Sequence, residues 1–354
     1  MSLFLKLLAL TLVQSMVSEG AGDWCYESQK DSHCPGPASW PGSCQNSEQS
    51  PIDIVNKSTK LNRSLTEITF TDYDKKEASP ITNNGHTVSV TLKNSIKISG
   101  GGLTGTYKAT GFHFHWSNSL DKGSEHTIDG KAYAMEMHIV HIKDKFEDIS
   151  EALASPDRDA VAVLGFLIEA SEEKHEGFET IVAALDSIPY KNDKNTTKPV
   201  SLNDLILDPK NRKLYYRYMG SLTTPNCDEK VVWTVFKTPI RVQGDQISKF
   251  SQKLFYNEKI LKKNSTNSTI SSNSTISSNS TISSNSTISS NSTISSNSTS
   301  SSERKDMPII DNFRPIQKDG GRSVFHSGVE GLLPHTWPTF LAPLLTYLLA
   351  VLLY

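Results

Sequence analysis

The sequence predicts a β-dominated domain of mixed α+β class, a single domain around one central sheet with short peripheral helices. Residues from Trp24 to about Leu261 contain short runs rich in β-branched and aromatic residues, such as Thr87–Leu92 and Lys230–Phe236, and turn signals separate these runs. The run Val161–Ile168 is apolar throughout, which favours a strand buried on both faces. Helical periodicity is scarce, and Phe178–Ile188 is predicted as a short helix.

The strand that begins at Gly111 carries two histidines in alternation with aromatic residues. Side chains in a strand alternate between faces, so His113 and His115 share one face. His138 lies 23 residues after His115, in the run Met135–Val140, which also reads as a strand. Two such strands can lie side by side and bring the third imidazole to the first two. The other face of the first strand carries Phe112, Phe114 and Trp116.

Three imidazoles on neighbouring strands are a candidate metal site. Three neutral imidazoles with an open fourth position form the ligand set of a catalytic zinc, and water bound to such a zinc loses a proton near neutral pH. A lone histidine on an apolar strand is more often a core residue, and a His-x-His pair also occurs by chance. Spacing alone therefore leaves both readings open.

Several motifs resemble those of one enzyme family. They occur in the family's order and near its spacings: Gln49–Ile54, Asn83–His86, Phe112–Trp116, Gly123–Thr127, Glu136–His141 and Ser221–Pro225. Together they resemble the α-class carbonic anhydrases, and most of all the membrane-anchored type IV and type XV group. The resemblance covers residues 24 to about 261 and implies a ten-stranded, mostly antiparallel twisted sheet.

The resemblance implies a zinc enzyme that catalyses the reversible hydration of carbon dioxide to bicarbonate and a proton. Its Zn²⁺ ligands would be His113, His115 and His138, and the zinc-bound hydroxide would be the nucleophile. Glu136 shares the face of His138 by parity, and the resemblance gives it the role of orienting that ligand.

Other site residues follow from the same resemblance. Thr223 is expected to donate its hydroxyl proton to Glu125 and so orient the nucleophile, while Thr224 helps to place the substrate. His86 is the expected proton relay, since an imidazole titrates near neutral pH. Without the resemblance, Thr223 reads equally well as a turn residue, and His86 reads more readily as one. The apolar wall that holds carbon dioxide is expected to comprise Val140, Val163, Leu222, Val231 and Trp233.

One position departs from the family pattern. The family usually has a glutamine two residues before the first zinc histidine, hydrogen-bonded to that ligand, and here Gly111 stands there. Losing such a partner typically costs about 10–100-fold in metal affinity or activity. We therefore expect the metal to bind but the activity to fall below the family's best.

Composition and the amino terminus indicate a secreted globular protein. The chain is 21% charged with a net charge of −2, which argues against nucleic acid as a partner. Residues 1–22 contain a short apolar run followed by small residues, and this pattern is typical of a signal peptide. The catalytic domain is expected to span residues 23–261.

Because secreted proteins fold in an oxidising compartment, the four cysteines are expected to form disulfides. No C-x-x-C pair is present, so a structural zinc cluster is disfavoured, and four cysteines allow three connectivities. The resemblance to the type IV and type XV group implies the pairs Cys25–Cys34 and Cys44–Cys227.

A repeat follows the expected domain. The hexad Asn-Ser-Thr-Ile-Ser-Ser recurs with too few apolar residues to fold alone, so residues 262–303 are expected to be a disordered, glycosylated stalk. A hexapeptide β-solenoid would need more regular apolar and glycine positions. The N-glycosylation sequons lie at Asn56, Asn62, Asn195, Asn264, Asn267, Asn273, Asn279, Asn285, Asn291 and Asn297.

The carboxyl terminus predicts a lipid anchor. The apolar run Trp337–Tyr354 has no basic flank, as in a GPI-attachment signal that is removed, whereas a spanning helix normally has one. Residues 304–327 would form a spacer and 328–354 the signal, with Ser327 or Gly328 as the anchor residue. The expected location is the extracellular face of the plasma membrane. Carbon dioxide and bicarbonate are the expected partners; protein partners such as bicarbonate transporters cannot be read from the sequence.

A binding or structural module is the alternative to the enzyme. Inactive carbonic-anhydrase-like domains serve as adhesion modules, and some biomineral matrix proteins join this domain to low-complexity repeats. Such inactive relatives lack at least one ligand histidine, whereas all three are present here beside Glu125 and Thr223. The sequence therefore favours the enzyme.

Overall fold

The computed structural model describes residues 24–29, 34–259 and 306–328, and its main feature is one large sheet. The strands in these residues are β1 Asp53–Ile54, β2 Lys60–Asn62, β3 Ile68–Thr71, β4 Pro80–Asn83, β5 Val88–Thr91, β6 Lys97–Gly100, β7 Tyr107–Trp116, β8 Thr127–Ile128, β9 Met135–Lys143, β10 Val161–Ser171, β11 Lys194–Thr196, β12 Tyr215–Gly220, β13 Val231–Phe236, β14 Ile240–Gln243 and β15 Phe325–Ser327.

Thirteen strands form the central sheet, in the order β11-β4-β5-β7-β9-β10-β13-β12-β15-β2, with β3, β6 and β14 off this path. Parallel pairs are β10 with β13, β10 with β14, and β15 with β2, while the other pairs in this sheet are antiparallel. The predicted β-dominated, mostly antiparallel sheet is confirmed. The described part of the chain holds more strands than the ten expected, and several of them are short edge strands.

In the described part of the chain, three short α-helices lie outside the sheet: α1 Ile149–Ala154, α2 Glu176–Leu185 and α3 Gly244–Lys253. The helix predicted over Phe178–Ile188 is α2, which begins earlier because the His175 ring accepts a hydrogen bond from the Phe178 N–H and caps it. It ends before Ile188, which precedes Pro189 and is therefore biased away from helical dihedrals. Turns of 3₁₀ helix span Glu27–Gln29, Pro37–Ser39, Gly42–Gln45, Asn56–Ser58 and Leu202–Asp204.

Hydrophobic clusters cover both faces of the sheet. One contains the aromatic face of β7, namely Phe112, Phe114 and Trp116, packed with Phe178 of α2 and Phe250 of α3. The other contains Val163 of β10 and Trp233 of β13. Strand β10 is buried along Val161–Ile168, as its continuous apolar run predicts. Among the described residues no helix is long and apolar enough to cross a membrane.

The expected domain boundary is wrong, because the chain returns to the domain after the repeat. Ile309 N donates to Leu254 O at 2.8 Å and Tyr256 N donates to Met307 O at 2.9 Å, so the two ends of the repeat are bonded side by side. Strand β15 then pairs with β12 and β2. Residues 307–327 therefore belong to the domain. They are not the spacer that the sequence predicts over residues 304–327.

The tethering role predicted for the repeat does not fit this arrangement, whereas its predicted disorder and glycosylation concern residues outside those described. Residues 259–306 form a separate unit inserted between two segments of one domain. A segment whose two ends are fixed next to each other on one domain cannot act as a tether between that domain and a membrane. The predicted signal peptide, the repeat sequons and the apolar tail lie outside the described residues.

Candidate metal centre

The pairing of β7 with β9 brings the three histidines together. The strands are antiparallel, with His113 opposite His138 and His115 opposite Glu136. The ring centroid of His113 lies 5.1 Å from that of His115 and 5.2 Å from that of His138. The ring centroids of His115 and His138 are 4.6 Å apart. Phe112, Phe114 and Trp116 point into the core on the other face, as the alternation predicts.

The three imidazoles fit a divalent metal ion. One nitrogen from each lies within 4.8 Å of the others, and the closest pair, His115 Nε2 and His138 Nδ1, is 3.1 Å apart. Burial lowers the pKa of His115 to about 4, and burial likewise lowers the pKa values of His113 and His138. All three rings are therefore neutral at pH 7, which is the form that binds zinc.

His138 is oriented by a buried carboxylate, as predicted. Its Nε2 lies 2.7 Å from Glu136 Oε1, and Glu136 Oε2 accepts the main-chain N–H groups of Glu125 and His126. Burial opposes ionisation of Glu136, but His126 and His138 beside it hold its pKa well below the ordinary value. His126, Glu136 and His138 could also be grouped as metal ligands, but Glu136 is already bonded to both rings.

His115 is oriented by Asn312, which lies in the predicted spacer and thus outside the expected domain. Its Nδ1 lies 2.8 Å from Asn312 O, and the Asn312 side chain accepts the Trp116 N–H at 2.7 Å and donates to His86 O. Two residues later, Arg314 N donates to Glu125 Oε1 at 2.8 Å. The long repeat separates Asn312 and Arg314 from the rest of the domain in the sequence, so no short-range pattern assigned them to it.

The His113 imidazole makes no hydrogen bond to the described residues, in line with the missing glutamine. Gly111 lies where the β7–β9 register shifts, between Ala109 and Gly111. A Cβ at this glycine would lie 2.6 Å from Val90 O, so a side chain there requires the backbone to move. The three ligands thus differ in how they are oriented: the His138 and His115 rings are hydrogen-bonded to neighbouring residues, and the His113 ring is not.

Glu125 is buried beside the histidines. Its Oε2 lies 3.4 Å from His115 Nε2 and makes no hydrogen bond within the described residues. Burial raises the pKa of Glu125 to about 7, and His138, the Arg314 N–H and the Thr223 hydroxyl act against that rise. Thr223 is buried close by, and Thr224 O accepts the Cys227 N–H.

The expected apolar wall is assembled on the histidine face of the sheet. The Trp233 ring centroid lies 4.8 Å from that of His138. Val163 is opposite both Val140 and Trp233 in the strand register, and Val161 is opposite Val231. All five predicted wall residues, Val140, Val163, Leu222, Val231 and Trp233, belong to or pack against the same hydrophobic cluster.

His86 lies at the end of a tight turn and stacks on an aromatic residue from the amino-terminal segment. Its ring centroid is 3.8 Å from that of Trp24, with the planes 8° apart. Trp24, Tyr26 and Trp40 pack with the Cys44–Cys227 disulfide in a small cluster. Both implied disulfides, Cys25–Cys34 and Cys44–Cys227, are formed.

Comparison with known proteins agrees with this geometry. Residues 35–274 match the eukaryotic-type carbonic anhydrase family. The chain is 42% identical to carbonic anhydrase 4 of Oryctolagus cuniculus, with all of both chains covered, and 39% identical to carbonic anhydrase 4 of Rattus norvegicus over 99% of each. It is also 34% identical to carbonic anhydrase 15 of Mus musculus, over 70% of this chain and 79% of that one. The chain therefore belongs to the eukaryotic-type carbonic anhydrase family.

Proposed function

We propose that this protein catalyses the reversible hydration of carbon dioxide at a Zn²⁺ ion bound by His113, His115 and His138. The observation that carries the proposal is the set of three neutral, convergent imidazoles. Glu136 is hydrogen-bonded to the His138 ring, and Asn312 O to the His115 ring. When bound, zinc acts as a Lewis acid and lowers the pKa of water to near neutrality.

Glu125 and Thr223 control the orientation of the reacting water. Arg314 N and the burial of the carboxylate fix Glu125 in place. With its proton directed to Glu125, the Thr223 hydroxyl can only accept a hydrogen bond from the reacting water, which fixes the lone pairs that face the substrate. The wall of Val140, Val163, Leu222, Val231 and Trp233 offers carbon dioxide an apolar surface beside that water, and Thr224 completes its placement.

His86 relays the product proton to buffer. Its imidazole is half-buried and lies flat on Trp24, so the ring is held near the protein surface. An imidazole can accept and release a proton near pH 7.

The protein acts at the extracellular face of the plasma membrane, with a cleaved signal over residues 1–22 and a lipid anchor near residue 328. The last described strand is β15, where the Ser327 hydroxyl accepts the Tyr215 N–H and donates to Lys213 O. Ser327 is thus an inner residue of the fold, and exposed Gly328 is the better anchor candidate of the two. The anchor would then hold the domain directly, without the repeat between them.

Two of the domain's proposed glycosylation sites lie on the outermost strands of the sheet path. Asn195 is exposed in β11, and Asn62 lies in β2. Asn56 is more constrained, because its side-chain amide donates to Asp129 Oδ2 at 2.7 Å and accepts the Tyr216 hydroxyl. We expect glycan occupancy to be higher at Asn195 than at Asn56.

The test measures zinc content and carbon dioxide hydration together on the full chain. We expect one zinc per chain and loss of both in His138→Ala. His141→Gln is the matched control, because His141 lies on the same strand but bonds Tyr73 and is outside the ligand set. Full hydration activity in metal-free His138→Ala would overturn the proposal, and a zinc-loaded wild type without activity would favour the inactive binding module.

A further inference from the structure

A second cavity lies between the outer strands of the sheet, apart from the three histidines. It has a volume of about 420 Å³ and is lined mainly by apolar groups, including Leu65, Leu103, Val232 and Phe325. We call it the β12–β15 groove. A cavity of this size and character is suited to a small ligand with an apolar body.

One buried cation lines this groove. Arg217 is only 7% exposed, and its Nε donates to Thr234 Oγ1 at 3.1 Å. Its Nη2 has no hydrogen-bond partner, and no carboxylate among the described residues forms an ion pair with it. Burial lowers the pKa of Arg217, which reflects the same missing compensation. The guanidinium lies over the Tyr215 ring, 5.4 Å from its centroid, but no carboxylate among the described residues neutralises its charge. An anion paired with a buried cation offsets the cost of burying that charge.

The other charged residues of the groove cannot supply that anion or compete for it. Asp159 lines the groove, but its carboxylate is bonded to Lys143 and Thr104. Arg322 also lines it, but its guanidinium donates to the carbonyl oxygens of Met219, Gln49 and Lys318. Arg217 is therefore the residue with donor capacity left.

The groove leaves the Arg217 guanidinium reachable. Gly102 lines the groove with φ at +72°, and a Cβ there would lie 3.8 Å from Arg217 Nη1. The absence of a side chain at Gly102 leaves the space next to Nη1 free, whereas Nη2 is buried. A planar guanidinium matches the two oxygens of a carboxylate, and the apolar lining matches a hydrocarbon body.

We propose that the β12–β15 groove binds a monocarboxylate with an apolar body, whose carboxylate pairs with Arg217. Such a ligand could be a free fatty acid or the carboxyl end of an apolar peptide, and the two share this chemistry. The site is independent of the proposed hydration chemistry, since none of the three histidines lines it.

The test is calorimetric titration of the full-length, zinc-loaded protein with decanoate, with decanol as the uncharged control and a C-terminal Leu-Leu-Phe tripeptide as the peptide arm. We expect decanoate to bind and decanol to bind at least about tenfold more weakly, because a charge-assisted hydrogen bond contributes roughly that factor. Tighter binding of the tripeptide than of decanoate would identify the peptide as the ligand source and still support the groove.

Arg217→Met should weaken decanoate binding by about tenfold or more without lowering the melting temperature, because it removes an uncompensated buried charge. Arg212→Met is the matched control. Arg212 is also buried, at 9% exposed, with an unpartnered Nε, and it lies over the Phe70 ring as Arg217 lies over the Tyr215 ring, but it does not line the groove. Its substitution should leave decanoate binding unchanged.

Arg217→Lys provides a second readout if the methionine variant fails to fold. It keeps the charge but loses the planar pair of donors, so binding should again weaken. Equal decanoate affinity in wild type and either Arg217 variant would overturn the proposal. So would decanoate binding that survives Arg217→Met and inhibits carbon dioxide hydration, because the carboxylate would then lie at the metal centre.

Discussion

The two segments on either side of the repeat contribute to the metal centre in different ways. The long segment, residues 34–259, provides all three histidines together with Glu125, Glu136 and Thr223. The short segment, residues 306–328, provides no metal ligand, but it orients His115 through Asn312 O and Glu125 through Arg314 N. The identity of the ligands is thus local in the sequence, whereas their orientation depends on residues far along the chain.

The difference also explains how a long insertion can be tolerated. The entropy cost of closing a loop grows only with the logarithm of its length, by about 0.6 kcal/mol per doubling. The contacts that join the two segments include the Trp116 Nε1 bond to Ile309 O and a buried Arg314 that donates to Cys44 O and Ser50 O. These contacts do not involve the repeat, so its length can change without altering the site.

The largest predicted effect comes from removing the short segment. A chain that ends at residue 261 loses Asn312, Arg314 and strand β15, and we expect it to lose zinc binding, hydration activity and cooperative unfolding. A chain in which Glu258 is joined through a short Gly-Ser linker to Met307 should keep all three, because Tyr256 and Met307 are already hydrogen-bonded neighbours. Zinc analysis, hydration rates and thermal unfolding of both proteins give the answer. Normal activity in the truncated chain would show that the short segment is dispensable.

Much of the site could be predicted from the sequence because its signals are short-range. The alternation of β7 placed His113 and His115 on one face, and parity placed Glu136 beside His138; the structure has both arrangements. The resemblance supplied the two disulfide pairs, and both are formed. The role of residues 306–328 could not be predicted in this way, since composition changes abruptly at the repeat and return of the chain to the sheet depends on contacts that span it.

The second prediction compares the two disulfides. Cys44–Cys227 spans 183 residues and Cys25–Cys34 spans 9. The chain-entropy model gives about 5 kcal/mol for the first loop and about 3 kcal/mol for the second. Cys44→Ser with Cys227→Ser should therefore reduce the free energy of unfolding more than Cys25→Ser with Cys34→Ser, as measured by urea denaturation.

The Cys44–Cys227 disulfide also contributes to the contact between the two segments, because Arg314 Nη2 donates to Cys44 O at 2.8 Å. We expect its removal to lower hydration activity as well as stability, while removal of the short disulfide leaves activity nearly unchanged. Equal losses of stability in the two double variants would reject the loop-length argument.

The third prediction concerns a buried histidine that depends on the long segment alone. His141 Nε2 lies 2.7 Å from the Tyr73 hydroxyl and Nδ1 faces Ala162 O. Burial lowers the pKa of His141 from 6.5 to about 4. The folded state keeps this ring neutral, so its stabilising contribution is complete above pH 6.5 and is lost as pH falls toward 4.

The full difference corresponds to about 3 kcal/mol. His141→Gln keeps a hydrogen-bonding side chain but cannot be protonated, so its unfolding free energy should fall less than that of wild type between pH 7 and pH 4.5. Urea titrations at both pH values measure this. The same difference should appear in the linker variant that lacks the repeat, because the partners of His141 are Tyr73 and Ala162. A pH response that vanishes there would show that the repeat affects the surroundings of His141.

The smallest predicted effect concerns His113, the one ligand that neither segment orients. Restoring the family's glutamine by Gly111→Gln would be expected to supply a partner, but the new Cβ would lie 2.6 Å from Val90 O in strand β5. The backbone must shift to relieve this contact, at a cost of roughly 1–3 kcal/mol, which is typical of overpacking.

We therefore expect Gly111→Gln to lower the melting temperature and leave zinc affinity within about threefold of wild type, whereas a well-placed partner is typically worth 10–100-fold. Gly111→Ala is the matched control, since it introduces the same Cβ without an amide. Competition with a zinc chelator measures the affinity. A tenfold gain in the glutamine variant alone would mean that β7 can rearrange at its register shift, and that orientation of the third ligand, unlike that of His115, can be recovered from within the long segment.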